Sequence, residues 1–446
     1  MGKTICAIST PIGKGAISIV RLSGSESLAV AKRVFDGKNL SYESIMPRYL
    51  YLGNFNFKDG SKEKCLMVYF KTPFSYTGED LIEFQIHGGS LLSQKVLNTL
   101  VENGATLAQP GEFTKRAFEN GKVSLDEAES IIGEINADSE SELKASLNGA
   151  SGQLKNKIKS LQNSLTESIA QIEATLDYPE EDFEEDFKKQ IFENIKQIED
   201  EINLLIDGCK NSRYISKGIN IAIVGSPNVG KSSLLNTLIG QERAIVTEIA
   251  GTTRDTLNES VEYQGVKLNF IDTAGIRDSE NVVEKIGIER SKQAIENADV
   301  ILFVLDGGRE KENIDEEIEV LLDGKKNVVT IVNKNDKPRK LEKQENEISI
   351  SALSNDNVGK IKEIIYDMVI KEKINFGATI ITNERQIEIL YECAEFLKQI
   401  LSSKNESMDV IALLIKSLWN SLGKITGECE NEKIIDLIFS KFCLGK

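Results

Sequence analysis

The chain has 446 residues, 40% of them hydrophobic and 28% charged, enough for two to four packed domains. Its 70 acidic residues outnumber 54 basic ones, and the net charge of −16 argues against the chain as a whole being the main electrostatic grip on nucleic acid. A single histidine and six scattered cysteines exclude a histidine triad, a zinc pattern and a disulfide framework, and no apolar run reaches the ~18 residues of a membrane span.

Residues 1–118 alternate short β-rich runs with turns, as at 16–22 and 65–70, and a helix is expected over 90–103. This reads as a small α/β domain. Two stretches in it, 76–89 and 110–122, set glycines beside charges, as ligand-facing loops do, although turn punctuation explains the glycines equally well. His87 reads as a structural histidine.

Residues 119–217 are expected to be helical. Ile158, Leu161, Leu165, Ile169, Ile172 and Leu176 recur at spacings of three and four. Phe187, Ile191, Ile195, Ile198, Ile202 and Leu205 do the same. Such stripes are bundle core. The acidic run 179–186 between them reads as a solvated turn.

Residues 218–374 carry the most specific pattern. The run Gly225-Ser226-Pro227-Asn228-Val229-Gly230-Lys231-Ser232-Ser233 lies between an apolar strand-like segment and a helix-like one. The glycines let backbone amides turn around a phosphate, and the following helix N-terminus adds unpaired N–H groups. Lys231 then reaches the β- and γ-phosphates and the Ser232 hydroxyl reaches Mg²⁺. Asp272-Thr273-Ala274-Gly275 follows a second apolar run, its Asp placed to hold Mg²⁺ through water. Asn333-Lys334-Asn335-Asp336 closes a third, and Ser351-Ala352 a fourth. A carboxylate at Asp336 accepts both N–H groups of the guanine edge, which adenine cannot supply. Four segments in order point to GTP. A hairpin is expected about Gln264-Gly265.

Ile276 stands where a water-orienting Gln follows the Asp-x-x-Gly segment in Ras-like GTPases, so another group must align water. Glu284, at the start of an expected helix over 283–297, is one candidate. From the residues alone it is as well explained as a solvated carboxylate. Arg243, Arg254 and Arg277 are candidates for charge stabilisation. A monovalent cation held by the Asn228 amide and the carbonyls of 244–255 is the alternative. Thr253 is the natural second hydroxyl for Mg²⁺.

Helical periodicity returns over 375–446, which is expected to pack with the helices before the GTPase segment as one domain. The segment ends Phe442-Cys443-Leu444-Gly445-Lys446. Cys443 reads either as a small buried apolar residue or as a reactive thiol.

Together these segments resemble the MnmE (TrmE) family of tRNA-modifying GTPases over essentially the whole chain. The resemblance rests on Ala7-Ile8-Ser9-Thr10-Pro11, Ile19-Val20-Arg21-Leu22-Ser23-Gly24, the two N-terminal loops, Gly251-Thr252-Thr253-Arg254-Asp255 and the C-terminal tail, where Leu444 replaces the usual Ile. It implies an N-terminal tetrahydrofolate-binding fold that also forms a homodimer, a helical-bundle domain, and a Ras-like P-loop domain inserted into that bundle. Arg21, Glu83 and Lys122 match positions that bind 5-formyl- or 5,10-methylene-tetrahydrofolate, with Lys446 close by. Asn228, Thr247, Ile249 and Thr252 match K⁺ ligands within the loop that also contains Glu248, Ala250 and Gly251. Glu284 matches the catalytic glutamate. K⁺ would act as the arginine finger when two G domains meet. The family works with the FAD-dependent protein MnmG, in a heterotetramer or larger complex. It installs an aminomethyl or carboxymethylaminomethyl group at C5 of the wobble uridine of certain tRNAs, and the acidic balance expected the tRNA to be held mainly by that partner. A cytoplasmic location follows. Two other readings are open to the sequence: a ribosome-assembly GTPase, which needs a basic appendage this chain lacks, and a folate-dependent one-carbon transferase regulated by GTP.

Overall fold

The computed structural model describes residues 2–177, 184–240, 259–271, 294–343, 346–370 and 381–445. The N-terminal strands are β1 (Ile5–Ile8), β2 (Ile17–Ser23), β3 (Phe35–Gly37), β4 (Leu50–Asn56), β5 (Lys62–Phe70), β6 (Leu81–His87) and β7 (Thr106–Leu107). They form one sheet in the order β3-β4-β5-β6-β2-β1-β7. Its pairs are antiparallel except β1 with β7. Alternation along β2 buries Ser18, Val20 and Leu22 and turns Ile17, Ile19 and Arg21 to the opposite face. Helices α1 (Ser27–Val34) and α2 (Ser90–Glu102) cover the first face, where Val20, Leu22, Met67, Ile82, Phe84, Val96 and Leu100 form the core. On the second face Ile5, Ala7, Leu81, Ala108 and Phe113 make a smaller cluster, completed by α3 (Glu112–Glu119).

Helices α4 (Leu125–Asn136), α5 (Glu140–Ala150), α6 (Gln153–Asp177), α7 (Glu184–Gly208) and α8 (Ser212–Lys217) follow. The two apolar stripes lie on the buried faces of α6 and α7, although Ile169 and Phe187 are half-buried and Leu176 is 48% exposed. Of the acidic run, residues 178–183 lie outside the described residues, whereas the backbone is already helical at 184–186. Helix α7 therefore begins inside the acidic run. Acidic residues suit a helix start, because its partial positive charge favours them.

The second sheet contains β8 (Ile219–Val224), β9 (Glu259–Tyr263), β10 (Val266–Ile271), β11 (Val300–Asp306), β12 (Val328–Asn333) and β13 (Ile348–Ser349). Their order is β13-β12-β11-β8-β10-β9, parallel apart from the β9–β10 hairpin. Gln264 and Gly265 both have positive φ, 50° and 83°, as the expected two-residue turn requires. Helices α9 (Lys231–Gly240) and α11 (Gly359–Val369) pack on one face and α10 (Asn313–Leu322) on the other. With both faces covered, β8 and β11 are almost continuously apolar.

The chain closes with α12 (Glu384–Ser402), α13 (Met408–Thr426) and α14 (Glu432–Ser440). Helix α13 packs on α6: Gln162 donates to the Trp419 carbonyl at 3.3 Å, and Trp419 Nε1 donates to Thr166 Oγ1 at 3.1 Å. Two compact units result, one of Met1–Ile132, Gly149–Asn203 and Glu388–Lys446, the other of Gly133–Asn148 and Leu204–Ile387. Among the described residues no helix is long and apolar enough to cross a membrane.

Candidate functional site

The phosphate loop leaves the C-terminal end of β8, which runs between β11 and β10 in the sheet. Gly225 has φ +154°, and a Cβ there would meet the Val304 carbonyl at 2.3 Å. Gly230 has φ +101°, and a Cβ there would meet Asn333 Nδ2 at 2.2 Å. Only glycine fits either place, so both glycines are required by packing as well as by conformation. Asn228, between them, takes a left-handed φ of 61°, which Asn tolerates. Val229 is fully buried and anchors the loop. Lys231, Ser232 and Ser233 form the first turn of α9, whose N-terminal end carries the positive pole of the helix dipole.

The Lys231 ammonium donates to the Gly225 and Ser226 carbonyls at 2.7 and 2.8 Å. Burial pushes its pKa down to about 8, opposed by the Asp315 carboxylate. A cation so held, at a helix N-terminus inside a glycine-shaped loop, fits the phosphates of a nucleotide.

The base-reading segments join this loop through side chains. Asn333, 2% exposed, donates to the Val229 carbonyl at 2.9 Å and accepts from the Ala352 amide at 2.9 Å. The Lys334 ammonium donates to the Asn228 carbonyl at 2.7 Å and to Asp306 Oδ2 at 2.6 Å. Thr237 of α9 donates to the Ala352 carbonyl at 3.0 Å. Asn333, Lys334 and Ala352 are therefore braces between segments. Asp336 is exposed, and Ser351 Oγ donates to it at 2.6 Å. That hydroxyl holds the carboxyl below its ordinary value, keeping it an ionised acceptor. The structure thus gathers Asn228, Val229, Lys231, Asn333, Lys334, Asp336, Ser351 and Ala352 about one loop system.

Thr247, Glu248, Ile249, Ala250, Gly251, Thr252, Thr253, Asp272, Thr273, Ala274, Gly275 and Glu284 lie outside the described residues. So do Arg243, Arg254, Ile276, Arg277 and Lys446. Two residues that the sequence reading missed belong to the site, Asp306 and Asp315. Burial raises the Asp306 carboxyl, but the Lys334 ammonium, the Gly308 amide and Arg309 hold it below its ordinary value. Asp315 accepts a hydrogen bond from Ser226, and both are buried. Asp306 could have been found from its place at the end of an apolar strand. Asp315 carried no comparable signal.

A second group of candidates lies on the N-terminal sheet. Arg21 and Glu83 are direct cross-strand partners, and Arg21 Nε donates to Glu83 Oε1 at 2.7 Å. The Arg21 guanidinium also lies over the Tyr76 ring, 5.6 Å from its centroid. Arg21 and Glu83 thus satisfy each other in part, and a ligand would meet the remaining guanidinium N–H groups and carboxylate lone pairs. Lys122 is exposed, and a Cβ on Gly78 would lie 3.2 Å from its Cε. The two glycine-bearing loops are tied by Arg116, which donates to Glu79 at 3.0 Å and Glu112 at 2.7 Å, and by Asn120, which donates to the Thr77 carbonyl at 2.7 Å. The C-terminal tail reaches this domain: Ser9 Oγ donates to the Gly445 carbonyl at 3.0 Å. Cys443 is exposed, which removes its reading as a buried apolar thiol. His87 is exposed and paired with Glu63 at 2.6 Å.

Residues 4–122 match the family described as GTP-binding protein TrmE N-terminus, and residues 125–443 match the MnmE helical domain. A tRNA modification GTPase MnmE of Lactococcus lactis subsp. lactis is 39% identical over 99% of this chain and 98% of its own length. That of Ligilactobacillus salivarius is 40% identical over the same shares. Among solved structures, Era in complex with MgGDPNP and a segment of 16S ribosomal RNA is 26% identical, with a TM-score of 0.27, over 40% of this chain and 66% of that one. Full-length identity near 40%, and two family matches that together take in nearly every residue, place the chain in the MnmE family.

Proposed function

We propose that this protein is the GTP-hydrolysing component of tRNA wobble-uridine modification. The observation that carries the reading is the closure of Asn333, Lys334 and Ala352 onto the phosphate loop, with the ionised Asp336 left exposed beside them. Lys231 binds the β- and γ-phosphates, Ser232 and Thr253 hold Mg²⁺, and Asp336 reads guanine. Bound there, Mg²⁺ would supply positive charge to offset the negative charge that develops on the phosphates during transfer. The chain's own residues act around it: Asp272 would help hold the ion through water, and Glu284 orients the attacking water in place of the Gln that Ile276 displaces. Oxygens of Asn228, Thr247, Ile249 and Thr252 suit K⁺.

Arg21, Glu83, Lys122 and Lys446 bind a formyl- or methylene-tetrahydrofolate, which supplies the one-carbon unit. The Arg21–Glu83 pair offers both a donor and an acceptor to such a ligand, which supports this reading. An N-terminal homodimer is supported by exposed Ile17, Leu50 and Leu52 on the outer sheet face. An FAD-dependent partner supplies the redox step and most of the grip on tRNA, in keeping with the net charge of −16. The work is done in the cytoplasm. Nucleoside analysis of tRNA from a strain lacking the protein tests this directly. Loss of the C5 substituent from wobble uridine is expected, and unchanged modified uridine removes the assignment.

A further inference from the structure

Asp315 lies in the first turn of α10 and is only 1% exposed. Burying a carboxylate is costly unless its lone pairs are filled. Here they are. Oδ2 accepts from the Glu312 amide at 3.0 Å and from the Arg309 guanidinium at 3.1 Å, and Oδ1 accepts from the Ser226 hydroxyl. The Glu312 contact is one half of a capping box. Capping needs neither burial nor the third contact, which crosses 89 positions of sequence to reach the phosphate loop.

Ser226 is the second residue of that loop and is fully buried. Its carbonyl and that of Gly225 are the two acceptors of the Lys231 ammonium. The residue that holds the lysine through its carbonyl is therefore itself held through its hydroxyl. Its neighbours Gly225 and Pro227 carry no side-chain hydrogen-bonding group. We propose that Asp315 is a positioning residue of the phosphate loop: by gripping the Ser226 hydroxyl it fixes the carbonyls that aim Lys231 at the phosphates. The inference rests on the GTP-binding reading above. Held in place beforehand, the loop loses less freedom when nucleotide arrives, so the contact acts on affinity.

Binding of a fluorescent GTP analogue and a fluorescent GDP analogue to the full-length protein tests this, with thermal melting alongside. The Ser226→Ala variant leaves Asp315 its bonds to Glu312 and Arg309, so the α10 cap stays intact. It is expected to raise both dissociation constants about tenfold. Asp315→Asn keeps an acceptor oxygen and should retain most of the affinity, whereas Asp315→Ala should lose at least as much as Ser226→Ala. The double variant Ser226→Ala/Asp315→Ala should bind no more weakly than Asp315→Ala alone, because both changes remove one bond. If Asp315→Ala does not fold, the Ser226→Ala and Asp315→Asn results still decide. Wild-type affinity in Ser226→Ala overturns the inference and leaves Asp315 as a cap, as does full additivity in the double variant. A wild-type protein that binds neither analogue overturns the GTP reading as well.

Discussion

The six cysteines differ by surroundings more than by sequence. Cys6, Cys65, Cys209 and Cys393 are buried, and burial pushes each thiol up to about 12. Cys443 is exposed and Cys429 half-buried. Since the thiolate is the reactive form, alkylation of the native protein at pH 8 should label Cys443 first and Cys429 more slowly. The other four should react only after unfolding. Peptide mass spectrometry reads the order, and early labelling of any of the four contradicts the packing described. Asp126 makes a different point. It is 1% exposed and neither carboxyl oxygen has a partner, while the neighbouring Ser124 hydroxyl is donated to Glu127. Burial raises its carboxyl above the ordinary value. A group with a raised folded value favours the folded state only while protonated. Its cost therefore appears as pH rises through the window above ~3.9, the unfolded value. Asp126→Asn should stabilise the protein by about 1–3 kcal/mol at pH 7, with the gain vanishing below about pH 4. Urea titrations at the two pH values measure it. At this scale the phosphate loop was legible because its chemistry is contiguous. Asp315 was not, being one of 70 acidic residues until folding set it against Ser226.

Elements were read well where one period dominates. The hairpin strands β9 and β10 begin and end where alternation and the Gln264-Gly265 turn place them. The stripes of α6 and α7 are buried because the spacing of three and four puts them on one face. Reading failed where charge was taken for a loop, since the 184–186 backbone belongs to α7. It also failed to anticipate what Asn333 and Lys334 do, because the phosphate-loop carbonyls they bond lie more than 100 positions away. The short tail after α14 is held at both ends. Phe442 packs with Leu125 and Phe439, and the Gly445 carbonyl accepts from Ser9. Deleting residues 443–446 should abolish wobble-uridine modification while GTP hydrolysis persists. Cys443→Ser separates thiol chemistry from tail placement. Full modification in that variant, by nucleoside analysis, would leave the tail as a wall of the folate site. Lost modification with an unchanged melting temperature and GTPase rate would support a role for the thiol.

For the molecule as a whole, the K⁺ reading makes the sharpest demand. GTP hydrolysis should run faster in K⁺ than in Na⁺ at equal ionic strength, because carbonyl oxygens spaced for the larger ion hold the smaller one poorly. Equal rates in the two salts would leave Arg243, Arg254 or Arg277 to stabilise the transition state. The interrupted architecture also bears on how the protein comes into being. Helix α6 ends at Asp177 and its partner α13 begins at Met408, so residues 178–407 must be made between them. At ordinary rates of synthesis that takes roughly 10–50 s. Throughout it Gln162 and Thr166 on the nascent chain lack the α13 partner that they bond in the finished fold. Residues 204–387 leave the ribosome earlier and can close their own sheet first. A ribosome that stalls within the last 59 residues, Glu388–Lys446, therefore carries a finished nucleotide site joined to an unfinished bundle. Such a product would bind nucleotide, yet it would present its helices to chaperones and proteases as unfolded chain.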